Sequence, residues 1–198
     1  MMPRIGIYGG SFSPPHYGHV EAVQSFYSSM MLDKVLVIPT FIAPHKQNLA
    51  TVSSEHRLAM TRLAFQHLPY VTVSDYEITK KDVSYTAHTL AHFANDGKLF
   101  FLCGSDMFLS MDTWYRPDII FQNAAIVLAS RDAALDQACL LKKAIYEDRY
   151  SAEIHILENS VRKLSSTEIR AAIRRREDVS GNLPQAVIDY MKAWHLYE

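Results

Sequence analysis

Short apolar runs alternate along this chain with longer stretches in which apolar residues recur every three or four positions. The first kind reads as buried strand and the second as amphipathic helix. Ile5-Gly6-Ile7-Tyr8 predicts a strand, and Val20, Val23, Phe26, Tyr27 and Met30 follow it at helical spacing. Lys34-Val35-Leu36-Val37-Ile38 predicts a second strand, after which Ser53-Ser54 caps a helix carrying Leu58, Leu63 and Leu68. Further strands are expected at Val71 to Ser74, Leu99 to Cys103, Ala125 to Ala129 and Glu153 to Leu157, with helices near Thr86 to Ala94 and Leu135 to Tyr150. The chain is expected to turn helical again after Ser165-Ser166-Thr167, and once more from Pro184 through Val187, Ile188, Met191 and Trp194. Strand and helix in alternation predict an α/β fold, a doubly wound and mostly parallel sheet with helices on both faces.

Composition narrows the picture. At 198 residues, 48% of them hydrophobic, residues 1–198 are expected to form one domain with a sizeable core. Twenty Lys plus Arg against 21 Asp plus Glu leave a net charge of −1, so nothing draws the molecule as a whole to a nucleic acid polymer or an acidic membrane. Phosphate binding, if present, is local. Cys103 in an apolar strand and Cys139 in a helix make neither a disulfide framework nor a metal cluster. No stretch approaches the roughly 20 apolar residues of a membrane span. Met1-Met2-Pro3-Arg4 leads directly into a strand with no room for a signal peptide, which makes the cytoplasm the expected compartment. The segment from Asp132 to Leu164 reads as scaffold or as the surface of a homo-oligomer.

The chemistry concentrates in Gly9-Gly10-Ser11-Phe12-Ser13-Pro14-Pro15-His16-Tyr17-Gly18-His19, on a strand-to-helix turn. Such a turn at the carboxyl end of a strand is where open α/β sheets bind ligands, and the helix start offers N–H groups and positive dipole to an anion. A single histidine is ordinarily a surface or core residue, but His16 and His19, three apart and framed by glycines and prolines, predict two imidazoles on one side of the turn. Neither G-x-G-x-x-G nor G-x-x-x-x-G-K-S/T follows the first strand. Candidate phosphate ligands lie instead at Pro44-His45-Lys46 and at Ser165-Ser166-Thr167-Glu168-Ile169-Arg170. In the latter, hydroxyls at a helix start serve either as caps or as phosphate donors, with Arg170 adding a fixed charge one turn in. Gly104 permits close backbone approach at a strand end, and Asp106 serves either as a cap or as an acceptor for ribose hydroxyls.

The glycine-histidine run resembles the G-G-S/T-F-D/N-P-x-H-x-G-H signature of the HxGH nucleotidyltransferases, and Leu164 to Arg170 resembles their I-S-S-T-x-I-R signature. Pro44-His45-Lys46, Ser84-Tyr85-Thr86 with Thr89-Leu90, Gly104-Ser105-Asp106-Met107 and Trp114 are similar to the pattern of bacterial nicotinate-nucleotide adenylyltransferases. The resemblance covers essentially the whole chain and implies a Rossmann-like form of the doubly wound sheet. H-x-G-H alone is also found in class I aminoacyl-tRNA synthetases and pantetheine-phosphate adenylyltransferases. The implied reaction converts ATP and nicotinate mononucleotide into nicotinate adenine dinucleotide and pyrophosphate, the mononucleotide's 5′-phosphate attacking the ATP α-phosphorus in line.

The resemblance also implies roles. His16, His19, Lys46 and Arg170 would be the catalytic groups, His19 being best placed to stabilise charge on the α-phosphate. Gly9, Gly10, Ser11, Phe12 and Gly18 would form the ATP-binding turn, with Gly104, Asp106 and Arg131 on the ribose and adenine side. Ser165, Ser166 and Thr167 would hold the leaving pyrophosphate end. Tyr85, Thr86 and Trp114 would receive the acceptor's pyridine ring and carboxylate. Mg²⁺ is expected, bound mainly through ATP phosphates and water with no protein ligand assigned. Ser13 departs from the signature, which usually has Asp or Asn there, so whatever bond that residue makes must be reached differently. The alternatives are an adenylyltransferase acting on nicotinamide mononucleotide or another phosphate acceptor, and a non-catalytic nucleotide-binding protein.

Overall fold

The computed structural model of the chain describes residues 2–42, 52–129, 137–157 and 162–198. In order these form β1 (Arg4–Gly10), α1 (Tyr17–Ser29), β2 (Lys34–Pro39), α2 (Ser54–Phe65), β3 (Val71–Val73), α3 (Tyr76–Lys80), α4 (Thr86–Phe93), β4 (Lys98–Gly104), α5 (Ser105–Ser110), α6 (Pro117–Asn123), β5 (Ala124–Ala129), α7 (Gln137–Tyr150), β6 (Ile154–Leu157), α8 (Ser166–Arg174) and α9 (Gln185–Ala193). A 3₁₀ turn over Met111–Thr113 separates α5 from α6. The strands make one sheet in the order β3-β2-β1-β4-β5-β6, and every neighbouring pair is parallel. The order reverses between β1 and β4, and in such sheets the crevice outside the carboxyl ends at the reversal is where ligands bind.

Period-two alternation explains the two-sided core. Val35, Val37, Phe100, Leu102, Ala125 and Val127 face one side, where α1, α2, α8 and α9 pack. Leu36, Ile38, Leu99, Phe101, Ile126 and Leu128 face the other, covered by α4, α5, α6 and α7. Cys103 and Cys139 meet this second cluster from β4 and α7, both buried and neither in a disulfide.

The α/β fold follows expectation, in its fully parallel form, while several details differ. In α2 the inward face carries Arg57, Met60, Thr61, Ala64 and Phe65, and Leu58 and Leu63 are only half-buried. Leucines five residues apart are separated by about 140° around a helix of 3.6 residues per turn, so they cannot share one face. Leu68 is buried, but in the turn after the helix. Trp194 caps α9 and is 58% exposed, because the helix ends before its turn would come round to the core. Helices α3, α5 and α6 are too short to show periodicity. Residues 135–136 of the helix expected over Leu135 to Tyr150 lie outside the described residues. Among the described residues no helix is long and apolar enough to cross a membrane.

Candidate functional site at the strand-order reversal

β1 runs out at Gly10, and the chain reaches α1 through a turn over residues 11–16 with a cis Ser13–Pro14 bond. Phe12 adopts left-handed backbone (φ 46°) and is 2% exposed, its ring edge-on to Tyr8, His19 and Phe65. His16 is the N-cap of α1, and its ring stacks on His19 at 3.6 Å between centroids, 18° from parallel. The His16 backbone N–H donates to His19 Nδ1 at 3.1 Å. A neutral His19 therefore carries its proton on Nε2. Gly18 sits in close approach, since a Cβ there would lie 3.0 Å from the Arg162 carbonyl oxygen and 3.1 Å from the His16 ring, and these neighbours would have to give way.

The turn is held from three directions. From α2, Arg57 donates to the carbonyls of Ser11 at 2.9 Å and Phe41 at 3.0 Å. From α8, Arg170 donates to the Ser13 carbonyl at 2.7 Å and to Thr167 Oγ1 at 3.1 Å, and the Ser166 hydroxyl donates to the Pro14 carbonyl at 2.9 Å. From beyond α9, the Tyr197 hydroxyl lies 2.9 Å from Ser13 Oγ. Ser165 is the N-cap of α8 by backbone position but makes no side-chain cap bond. Burial lowers the Arg57 pKa, against the opposing influence of Tyr197 and Glu55. Burial also pushes the Tyr197 phenol up to about 12, although Ser13, Arg170 and Arg57 act the other way. Neither Arg57 nor Tyr197 belongs to a recognised motif. No local sequence signal marks either, since their partners in the turn lie 46 and 184 residues away.

A cavity of about 510 Å³ opens along the carboxyl edge beside this turn. It brings together the predicted Gly9, Gly10 and Ser11, the predicted Tyr85, Thr86 and Trp114, and Asp106. A Cβ on Gly9 would meet nothing within 4 Å, whereas Phe12 lies behind the wall in the core. A smaller cleft holds His16, Gly18, His19 and Gly104 with Leu164. Gly104 is the N-cap of α5, and exposed Asp106 makes no cap bond there. The Tyr85 N–H, expected as a carboxylate donor, is already given to the Val83 carbonyl at 3.0 Å. The donors a helix start leaves without intrahelical partners are instead those of Thr86 and Ala87, the first residues of α4. Tyr115 also lines the cavity, its ring 4.5 Å from that of Tyr85. Lys46, with Pro44 and His45, and Arg131 lie outside the described residues.

Glu77 also lines the cavity and carried no sequence signal. It is 7% exposed, and its Oε1 accepts from Thr89 Oγ1 at 2.6 Å. Burial raises its pKa, and Ser84, Thr89 and Lys80 only partly offset this. No group of three or more His, Cys, Asp or Glu able to hold a metal ion occurs among the described residues.

The profile of the cytidylyltransferase-like family matches residues 7–172, from within β1 into α8. A Clostridium botulinum protein named probable nicotinate-nucleotide adenylyltransferase is 35% identical over 198 residues, covering 100% of this chain and 99% of its own. A protein of the same name from Carboxydothermus hydrogenoformans is 33% identical, covering 98% of each chain. The solved Plasmodium falciparum nicotinic acid mononucleotide adenylyltransferase complexed with APC shares the fold, with a TM-score of 0.75 at 20% identity over 98% of this chain and 97% of that one. The chain belongs to the cytidylyltransferase-like family, and within it to the nicotinate-nucleotide adenylyltransferases.

Proposed function

We propose that the chain transfers the adenylyl group of ATP to nicotinate mononucleotide, giving nicotinate adenine dinucleotide and pyrophosphate. The observation that carries this reading is the juxtaposition at the β1/β4 reversal of the stacked histidine pair with a cavity walled by the start of α4 and Trp114. A 5′-phosphate oxygen of the mononucleotide forms a bond to the α-phosphorus as the bridge to the β-phosphate breaks, and the electron pair leaves with pyrophosphate. The nucleophile is already anionic, so the reaction needs positioning and charge stabilisation more than a general base. His19, with Nδ1 occupied by the His16 N–H, offers Nε2–H as a fixed donor for charge developing on the α-phosphate. His16 beside it, and Lys46 and Arg131 by family likeness, complete the ATP side with Asp106 toward the ribose. The Ser166 hydroxyl spends its one proton on Pro14, so at the pyrophosphate end the backbone N–H groups of Ser166 and Thr167 are the donors, with Ser165 and Arg170 alongside.

We read the cation as Mg²⁺. It would be carried mainly on triphosphate oxygens and water, where it would neutralise charge. Residues 1–198 are read as one nucleotidyltransferase unit working in the cytoplasm, with ATP and nicotinate mononucleotide as its partners. The test is pyrophosphate release from Mg-ATP with each acceptor in turn. Release with nicotinate mononucleotide, and product of the dinucleotide's mass, are expected. No release, or a preference for phosphopantetheine, overturns the reading.

A further inference from the structure

The Ser13 position, where the family signature usually has Asp or Asn, is tied by its hydroxyl to Tyr197, 184 residues along the chain. We propose that Tyr197 is a positioning residue for the transfer reaction: through Ser13 it fixes the 11–14 turn, and with it the histidine pair that follows. The inference rests on the adenylyl-transfer reading.

The turn needs outside support. Phe12 sits at φ 46°, a conformation unfavourable for a bulky residue that persists only where the surroundings over-determine it. That support comes from side chains, which bind the carbonyls of Ser11, Ser13 and Pro14 through Arg57, Arg170 and Ser166. Tyr197 supplies the one hydrogen bond to the Ser13 side chain among the described residues. Its ring is 6% exposed and anchored in the same apolar cluster as Val187, Ile188 and Met191 of α9, so its hydroxyl is a fixed point. The raised phenol keeps that proton across the working pH range. Only Pro14 and Pro15 separate Ser13 from His16, and two prolines transmit a displacement with little slack. His16 in turn stacks on His19 and donates to it. A shift at Ser13 therefore reaches the donor aimed at the α-phosphate.

Ser13→Ala, Tyr197→Phe and the double variant test this, each single removing one end of the same hydrogen bond while Phe keeps the ring in the core. Each single is expected to lower kcat about 5- to 10-fold, from the loss of one hydrogen bond and the misalignment it permits. KM for nicotinate mononucleotide should stay within about twofold, because the cavity wall at α4 is untouched. The double variant should be no slower than the slower single. The imidazole signals of His16 and His19, followed by NMR, should shift in both singles, a reading that does not depend on which reaction the protein catalyses. Unchanged histidine signals, a lowered Tm with wild-type kcat, or losses that multiply in the double variant would each overturn the proposal. A wild-type protein that makes no dinucleotide would overturn the proposed function instead, while the histidine signals still decide this one.

Discussion

His19 owes its orientation to a backbone donor, the His16 N–H on its Nδ1. In the proposed reaction, replacing it with alanine removes a donor whose bond to the reacting phosphate strengthens in the transition state. His19→Ala should therefore lower kcat by about 10²-fold or more with Tm nearly unchanged, and near-normal turnover would sink the assignment. Glu77 carries a pH signature. Burial puts its folded-state pKa above the unfolded value, so its contribution to stability is present at acid pH and is lost as pH rises through the raised value. Glu77→Gln cannot titrate, and melting both proteins from acid to alkaline pH should show the wild type losing ground to the variant above the ordinary glutamate range. Parallel Tm curves would reject that account. The sequence exposed the histidine pair, the cavity glycines, Thr86 and Trp114 because short motifs carry them. Glu77, Arg57 and Tyr197 were invisible because their roles come from partners 12, 46 and 184 residues away, which no local pattern records.

Among the elements, the proposed function makes α4 the helix that sets the choice of pyridine nucleotide. Its first N–H groups face an acceptor-only carboxylate well and an amide NH₂ badly. Two carboxyls line the wall, Asp106 in the first turn of α5 and the buried Glu77, whose pKa burial raises. At saturating Mg-ATP, kcat/KM for nicotinate mononucleotide should exceed that for nicotinamide mononucleotide by about 100-fold, the equivalent of two donors left opposed. Equal values would reject the pocket chemistry. Helix α2 clamps through Arg57, and Arg57→Ala leaves the Ser11 and Phe41 carbonyls without that donor. A loss of about 2–4 kcal/mol in denaturant unfolding is expected, and a change below about 0.5 kcal/mol would show that water replaces the guanidinium at no cost. The same helix shows the limit of pattern reading. Its leucines suggested one face, whereas the buried face runs through an arginine and a threonine, since hydrophobicity alone does not register a polar residue satisfied by backbone carbonyls. The strands were legible because each is a run of apolar residues bounded by turns.

At the scale of the whole molecule, the six parallel strands join sequence-distant segments, with β1 paired to β4 across the reversal and the site built where they part. Clamping the turn from α2, α8 and Tyr197 ties the histidine pair to the apolar cluster on the face holding α9. The opposite face has its own reporters. Cys103 and Cys139 are each 1% exposed on either side of the β4–α7 contact, and burial raises the Cys103 thiol well above its ordinary value. A thiol reagent can reach them only when that layer comes apart, so the rate of labelling in the folded protein is a clock for opening of the β4–α7 half. Bound substrates at the carboxyl edge should slow that clock if the two halves of the sheet open together, and leave it running if they open independently.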